Sequence, residues 1–199
     1  MIRLFLALLF LGALLPKPML SSPNEPLIAE LYARGLAGDK KAVIDCIAAL
    51  EKVLFAQPND QLARVYLGSV CTLQSRDLPF GPAKLTTLRR GIALMDEAAT
   101  AAPNDVRVQL LRAVTNEAFP SILGRRKVAR QALDDLVAVS EKDPGKLKPS
   151  DRQLLYLNAG EAAAKAGDKK RAAQLWQEGS ALQADPKLTQ EIETDLSQL

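Results

Sequence analysis

Apolar residues recur at three- and four-residue spacings along most of the chain, in blocks separated by short polar, proline or glycine punctuation. Leu27, Ile28, Leu31 and Leu36 form one block, and Val43, Ile44, Ile47, Leu50 and Leu54 the next. Leu62, Val65, Tyr66, Cys71 and Leu73 follow. Apolar positions in that rhythm lie on one face of an amphipathic helix. Helices are therefore predicted over residues 40–56, 61–75, 85–102, 106–119 and 125–142. A further hairpin starts at Ser150, where Ser150-x-x-Gln153 has the form of a capping box. Leu188, Ile192 and Leu196 share one stripe of a last helix. Asn24, Asp60 and Asp185 stand where a side chain can accept the free N–H groups of a first turn.

The punctuation is periodic. Gly38, Gly81, Gly124 and Gly167 lie 43 residues apart. Each precedes a basic, Ala/Leu-rich segment that runs to a proline: Pro58, Pro103, Pro144 and Pro186. A turn and a stop recurring at one period, with helical pattern between, mark an α-helical repeat array. The fold class expected is all-α, with about four helical hairpins over residues 23–186. Residues 187–199 would form a helix covering the end of the array.

The last repeat carries a family resemblance. Tyr156-x2-Ala159-Gly160-x2-Ala163-x3-Gly167, followed by Ala172-x3-Trp176-x2-Gly179, resembles the tetratricopeptide repeat (TPR). Small residues at Gly160 and Ala163 let two helices approach closely. Ala172 is expected in the gap left by Gly160, with Trp176 between hairpins. Leu67-Gly68-x2-Cys71 and Gly91-x3-Met95-x2-Ala98-x4-Pro103 resemble the same pattern, split by an insertion over residues 76–87. In the third repeat Arg112 or Ala113 falls at the small-residue position. The resemblance implies an α-solenoid whose first helices line a concave, peptide-binding groove. On this chain that groove would hold Ser69, Thr72, Leu157, Glu161 and Lys165.

Residues 1–22 are expected to lie outside the fold. Arg3 precedes an apolar run at residues 4–15, then Pro16, Pro18, Ser21 and Ser22. That is the pattern of a secretory signal peptide, and the run is shorter than the ~20 residues a spanning helix needs. The expected location is secreted or periplasmic, without membrane insertion after cleavage. Formal charge is +3 over the whole chain, with no long single-sign block, so no nucleic-acid partner is expected.

The chain contains no histidine. That removes the commonest general base and the commonest zinc ligand. Two cysteines cannot make a four-thiolate metal site, and Gly81-Pro82-Ala83-Lys84 lacks the spacing of a phosphate loop. The expectation is a protein that is not an enzyme and has neither cofactor nor metal. It would be an exported interaction scaffold with a protein or peptide partner. The alternative is a small-ligand-binding accessory protein that uses its inserted loops as a lid.

Two sets of residues are candidates for the partner site. Arg112 and Asn116 are four apart and share a helix face. Arg112 is either a recognition residue or a structural one paired with Asp77 or Glu117. The second set is an edge. Residues 78–82 and 119–124 each combine phenylalanine, proline and glycine, and adjacent hairpins would place them side by side. Phe80 and Phe119 would form an apolar centre, with Lys84, Arg89, Arg90, Arg125 and Arg126 as a basic rim. Cys46 and Cys71 fall on neighbouring helices, so in an exported protein a disulfide between them is allowed.

Overall fold

The computed structural model describes residues 25–199. Among the described residues there are helices and turns but no strands, so the all-α expectation holds. The α-helices are α1 (Glu25–Leu36), α2 (Lys40–Ala56), α3 (Gln61–Asp77), α4 (Pro82–Ala101), α5 (Val106–Glu117), α6 (Arg126–Lys142), α7 (Pro149–Lys165), α8 (Lys169–Ala181) and α9 (Pro186–Ser197). Single 3-10 turns occur at Ser121–Leu123 and Pro144–Lys146. The segment read as a signal peptide, and the cap expected of Asn24, lie outside the described residues.

Consecutive helices pair into four hairpins, α1/α2, α3/α4, α5/α6 and α7/α8. The first helix of each hairpin also packs on the first helix of the hairpin before it, and α9 packs on α7 and α8 in the same manner. The array is thus four hairpins and the first half of a fifth.

The four periodic glycines are the four hairpin turns. Their φ angles are positive: 101° at Gly38, 158° at Gly81, 66° at Gly124 and 88° at Gly167. A Cβ is strained at such angles, so glycine is favoured at these positions. Aspartates then restart many of the helices. Asp39, Asp60, Asp105, Asp168 and Asp185 accept first-turn N–H groups of α2, α3, α5, α8 and α9.

The core runs the length of the array. Ile28, Leu31, Val43 and Leu50 meet Leu67 and Val70 between the first two hairpins. Val65, Met95, Val108, Leu111 and Phe119 fill the next junction. Leu110, Leu133, Leu136, Leu155 and Leu175 fill the third. Leu157, Ala172, Trp176 and Ile192 close the end under α9.

Three local expectations are corrected. The insertion at residues 76–87 is mostly helix: α3 continues to Asp77 and α4 begins at Pro82, so the loop is only residues 78–81. Proline at the first helical position has no N–H to lose, which is why Pro82 starts α4 and does not break it. At Gly160, a Cβ would stand 2.3 Å from Trp176 Nε1. The indole, not Ala172, occupies that space, and its Nε1 donates to the Leu157 carbonyl at 3.0 Å. Gln153 forms no capping box with Ser150. Its Oε1 accepts from Asp185 N at 2.7 Å and its Nε2 donates to Thr189 Oγ1 at 2.7 Å, tying α7 to the start of α9.

Candidate interaction surface

The face expected to be a concave groove is closed over its first three hairpins. Ser69, Thr72 and Leu157 are all buried. Tyr32 of α1 and Ser69 of α3 share a hydrogen bond of 2.8 Å between hydroxyls, and Ser69 shares one of 2.9 Å with Thr115 of α5. Three successive first helices are therefore joined hydroxyl to hydroxyl where a groove would need open side chains. Burial pushes the Tyr32 phenol up to about 12, so it stays neutral and can donate or accept in this row. Glu161 and Lys165 remain at the surface but pair with each other at 2.6 Å.

Arg112 is paired within the fold, and its partner is neither Asp77 nor Glu117. Its guanidinium meets Asp96 of α4 at 2.8 Å. Arg125, just before α6, meets the other oxygen of the same carboxylate at 2.6 Å. Burial alone would raise the Asp96 carboxyl, but hydrogen bonds from Arg125 and Arg112 hold it below its ordinary range. One aspartate thus fastens α4 to α5 and to the start of α6. Glu117 is 4% exposed at its side chain and pairs instead with Arg130 of α6 at 3.1 Å. Asn116 is buried beside this region, and its Oδ1 has no hydrogen-bond partner among the described residues. Ala113, buried against α6 and α7, takes the small-residue position that was open between Arg112 and Ala113.

The two connections expected to lie side by side are offset. Phe119 is 7% exposed and belongs to the core cluster of Met95, Ala98 and Val108, against which Leu88 and Ile92 pack. Arg125 reaches α4 at Asp96, which is 14 residues after Pro82. Fourteen residues of helix rise about 21 Å. The start of α4 and the α3–α4 turn therefore project past the α5–α6 connection. Because the insertion folds as helix, it lengthens the second hairpin and separates the two loops.

Phe80 and Phe119 accordingly do not form one centre. Phe80 is 91% exposed, and the large apolar side chain exposed on the other connection is Ile122, also 91% exposed. Sequence reasoning weighted phenylalanine and passed over Ile122, Leu123 and Val128. Their signal was present in the form of three large apolar residues around a glycine turn. The rim residues also differ in role. Lys84 Nζ donates to the carbonyls of Ser75, Arg76 and Leu78 at 2.9, 3.1 and 3.1 Å, so it caps the end of α3. Arg126 donates to the Phe119 carbonyl at 2.8 Å, and Arg90 pairs with Glu51 of α2 at 2.7 Å. Arg89 is exposed and makes no ion pair among the described residues.

Cys46 and Cys71 are both free and buried, so the allowed disulfide is not formed. Burial pushes the Cys46 thiol up to about 11 and raises the Cys71 thiol as well. Both act as small apolar side chains of the first core cluster. Neither phenylalanine roofs the pocket of about 180 Å³ between α6 and the α7–α8 turn, which is lined by Leu133, Ala159, Ala162 and Ala163 with Arg130 and Arg171 at its rim. Among the described residues no cluster of side chains could hold a metal ion, and no helix is long and apolar enough to cross a membrane.

Compared with family models, with curated proteins and with solved structures, the chain matches none.

Proposed function

We propose that the protein is a non-catalytic interaction scaffold, a TPR-like array that acts after export. The observation that carries this reading is the exposure of Phe80 and Ile122, 91% each, at two successive hairpin turns; Phe55 is as exposed but lies at the other end of α2. Aromatic and aliphatic side chains held out from a rigid element are what a partner buries at an interface. The edge of hairpin turns, not the first-helix face, is the surface offered, because hydroxyl contacts and burial close that face at Ser69 and Thr72. The export part of the reading rests on Arg3 and the apolar run at residues 4–15. N-terminal sequencing of the native protein is expected to find a start within residues 18–25; an intact Met1 in a cytosolic fraction removes it.

The binding part is tested by affinity capture from the native envelope fraction with quantitative mass spectrometry. The wild-type protein is expected to recover a stoichiometric partner, and the Phe80→Ser, Ile122→Ser double variant to lose it at unchanged helicity and melting temperature. Failure to recover any stoichiometric partner, or full retention by the variant, refutes the reading.

A further inference from the structure

The chemistry of the partner can be taken one step further by charge. Elsewhere on the array, several cations are matched within their own helix or turn, such as Lys41 with Asp45 at 2.6 Å and Arg34 with Asp39 at 2.7 Å, and others across helices, such as Arg107 with Asp151 at 3.4 Å. The edge is different. Residues 78–95 and 118–133 together hold seven Lys and Arg and no Asp or Glu, so any neutralisation must come from outside these stretches. It comes for three of them, through Glu51 to Arg90, Asp96 to Arg125 and Glu117 to Arg130. Asp96 is moreover shared with Arg112. Lys84 and Arg126 donate to backbone carbonyls, which satisfies their N–H groups but cancels no charge. Arg89 and Lys127 are exposed and unmatched among the described residues.

Apolar surface is interleaved with this charge. Phe80 and Leu85 stand on the projecting start of the second hairpin, and Ile122, Leu123 and Val128 on the connection and first turns beyond it. The helices that begin at these two connections, α4 and α6, have no side-chain cap, as α7 has none, whereas α2, α3, α5, α8 and α9 each have an aspartate in that place. Their first-turn N–H groups favour a negative group at the same edge. No single one of these features is a site. Together they give apolar contacts, unmatched cations and free donors distributed over about 21 Å of α4, the rise from Pro82 to Asp96.

We propose that this edge docks an acidic, apolar segment of a partner protein. The segment lies along the projecting half of α4 toward the start of α6. Its aliphatic side chains cover Phe80 and Ile122, and its carboxylates answer Arg89 and Lys127. About six extended residues span the distance. The interleaving favours a polypeptide over a polyphosphate, because a phosphate backbone would leave Phe80 and Ile122 without apolar cover. The inference rests on the scaffold reading and adds to it the partner's charge.

The test uses the array with a fluorescent synthetic peptide in which leucine alternates with aspartate and glutamate. The readout is anisotropy over a salt series. Three controls run beside it: the same peptide with lysine for every acid, a single-stranded oligonucleotide, and phosphatidylglycerol vesicles. The acidic peptide is expected to bind at least about tenfold more tightly than the lysine peptide, with affinity falling as salt rises. The Arg89→Glu, Lys127→Glu double variant and, separately, Ile122→Ser should each weaken it by about tenfold without moving the melting temperature. Lys142→Glu, at the exposed C-terminal end of α6 and so away from the hairpin turns, should leave it unchanged. Equal binding of the lysine peptide, or an acidic peptide indifferent to the edge variants, overturns the inference. So does tighter binding of the oligonucleotide or vesicles that the same variants abolish. A native partner that still binds the Arg89→Glu, Lys127→Glu variant would keep the scaffold reading and refute this one. Absence of any native partner would refute the scaffold reading, whatever the peptide does.

Discussion

Gly68 of α3 and Gly91 of α4 lie back to back. The carbonyl oxygen of each stands 2.6 Å from where a Cβ on the other would be. The obstacle is backbone on both sides, so neither helix can accept a side chain there without moving away. Alanine normally favours a helix over glycine by about 1 kcal/mol. Here that gain is exceeded, and Gly68→Ala or Gly91→Ala is expected to destabilise by about 3 kcal/mol, an overpacking cost at the upper end of the usual range. Urea unfolding followed by far-UV circular dichroism measures it. A variant as stable as wild type would mean the helices can part at no cost.

Lys84 offers a different kind of check. Its ammonium closes the carbonyl end of α3 with three hydrogen bonds. Lys84→Met keeps the aliphatic stem and removes the donors, and should cost about 2 kcal/mol, as expected for hydrogen bonds from a charged group. The same substitution at the exposed Lys127 should cost nothing measurable. If the two variants unfold alike, Lys84 is a surface lysine like any other.

Stability against pH should carry two opposite signs. Asp39 is held low by the Ala42 N–H and by Arg34, Asp77 by Arg76, and Asp96 by its two arginines against the effect of burial. Groups lowered in the folded state stabilise above the unfolded carboxylate value, near 4, and lose that contribution as pH falls through their folded values. Glu191 and Asp195 of α9 go the other way. Burial raises both and the Glu161 carboxylate adds to it, so protonating them favours the docked helix. Melting curves between pH 7 and 3 should show the array weakening below about pH 4. Asp96→Asn should flatten that decline, and Glu191→Gln should raise stability at neutral pH. An unchanged slope in Asp96→Asn would show that the two arginines do not depend on its charge.

The thiols make a sharp prediction because both are buried and raised. Neither Cys46 nor Cys71 should react with iodoacetamide at pH 8 in the folded protein, and both should react in denaturant. Mass spectrometry counts the adducts. Recovery of a Cys46–Cys71 cross-link from native material would contradict the free thiols described above.

Much of the fold was legible because it is written in local signals. Gly38, Gly81, Gly124 and Gly167 announce four turns by their spacing, and all four turn the chain with positive φ. Apolar spacing located the helices, since a 3.6-residue rhythm needs no knowledge of what lies opposite. The site was less legible for a related reason. Asp96 pairs with residues 16 and 29 positions away. Nothing in a one-dimensional pattern selects that carboxylate over Asp77 or Glu117. Phe119 and Phe80 look alike in sequence, yet one closes a junction beside Met95 and the other meets solvent. The insertion misled because its prolines and glycine were read as a long loop. Pro82 sits at the one helical position where proline has nothing to break.

The projecting half of the second hairpin has a consequence for how this chain tolerates change. Its closest helix contact, at Gly68 and Gly91, lies about two and a half turns back from the start of α4, since Gly91 follows Pro82 by nine residues. Turns added to or removed from both helices beyond that waist leave the contact untouched. The tip can therefore vary in length while the waist holds the hairpin in register with its neighbours. A hairpin of this kind grows as a jetty does, outward from a fixed footing. Its reach toward other molecules can be reset without redesigning the array that carries it.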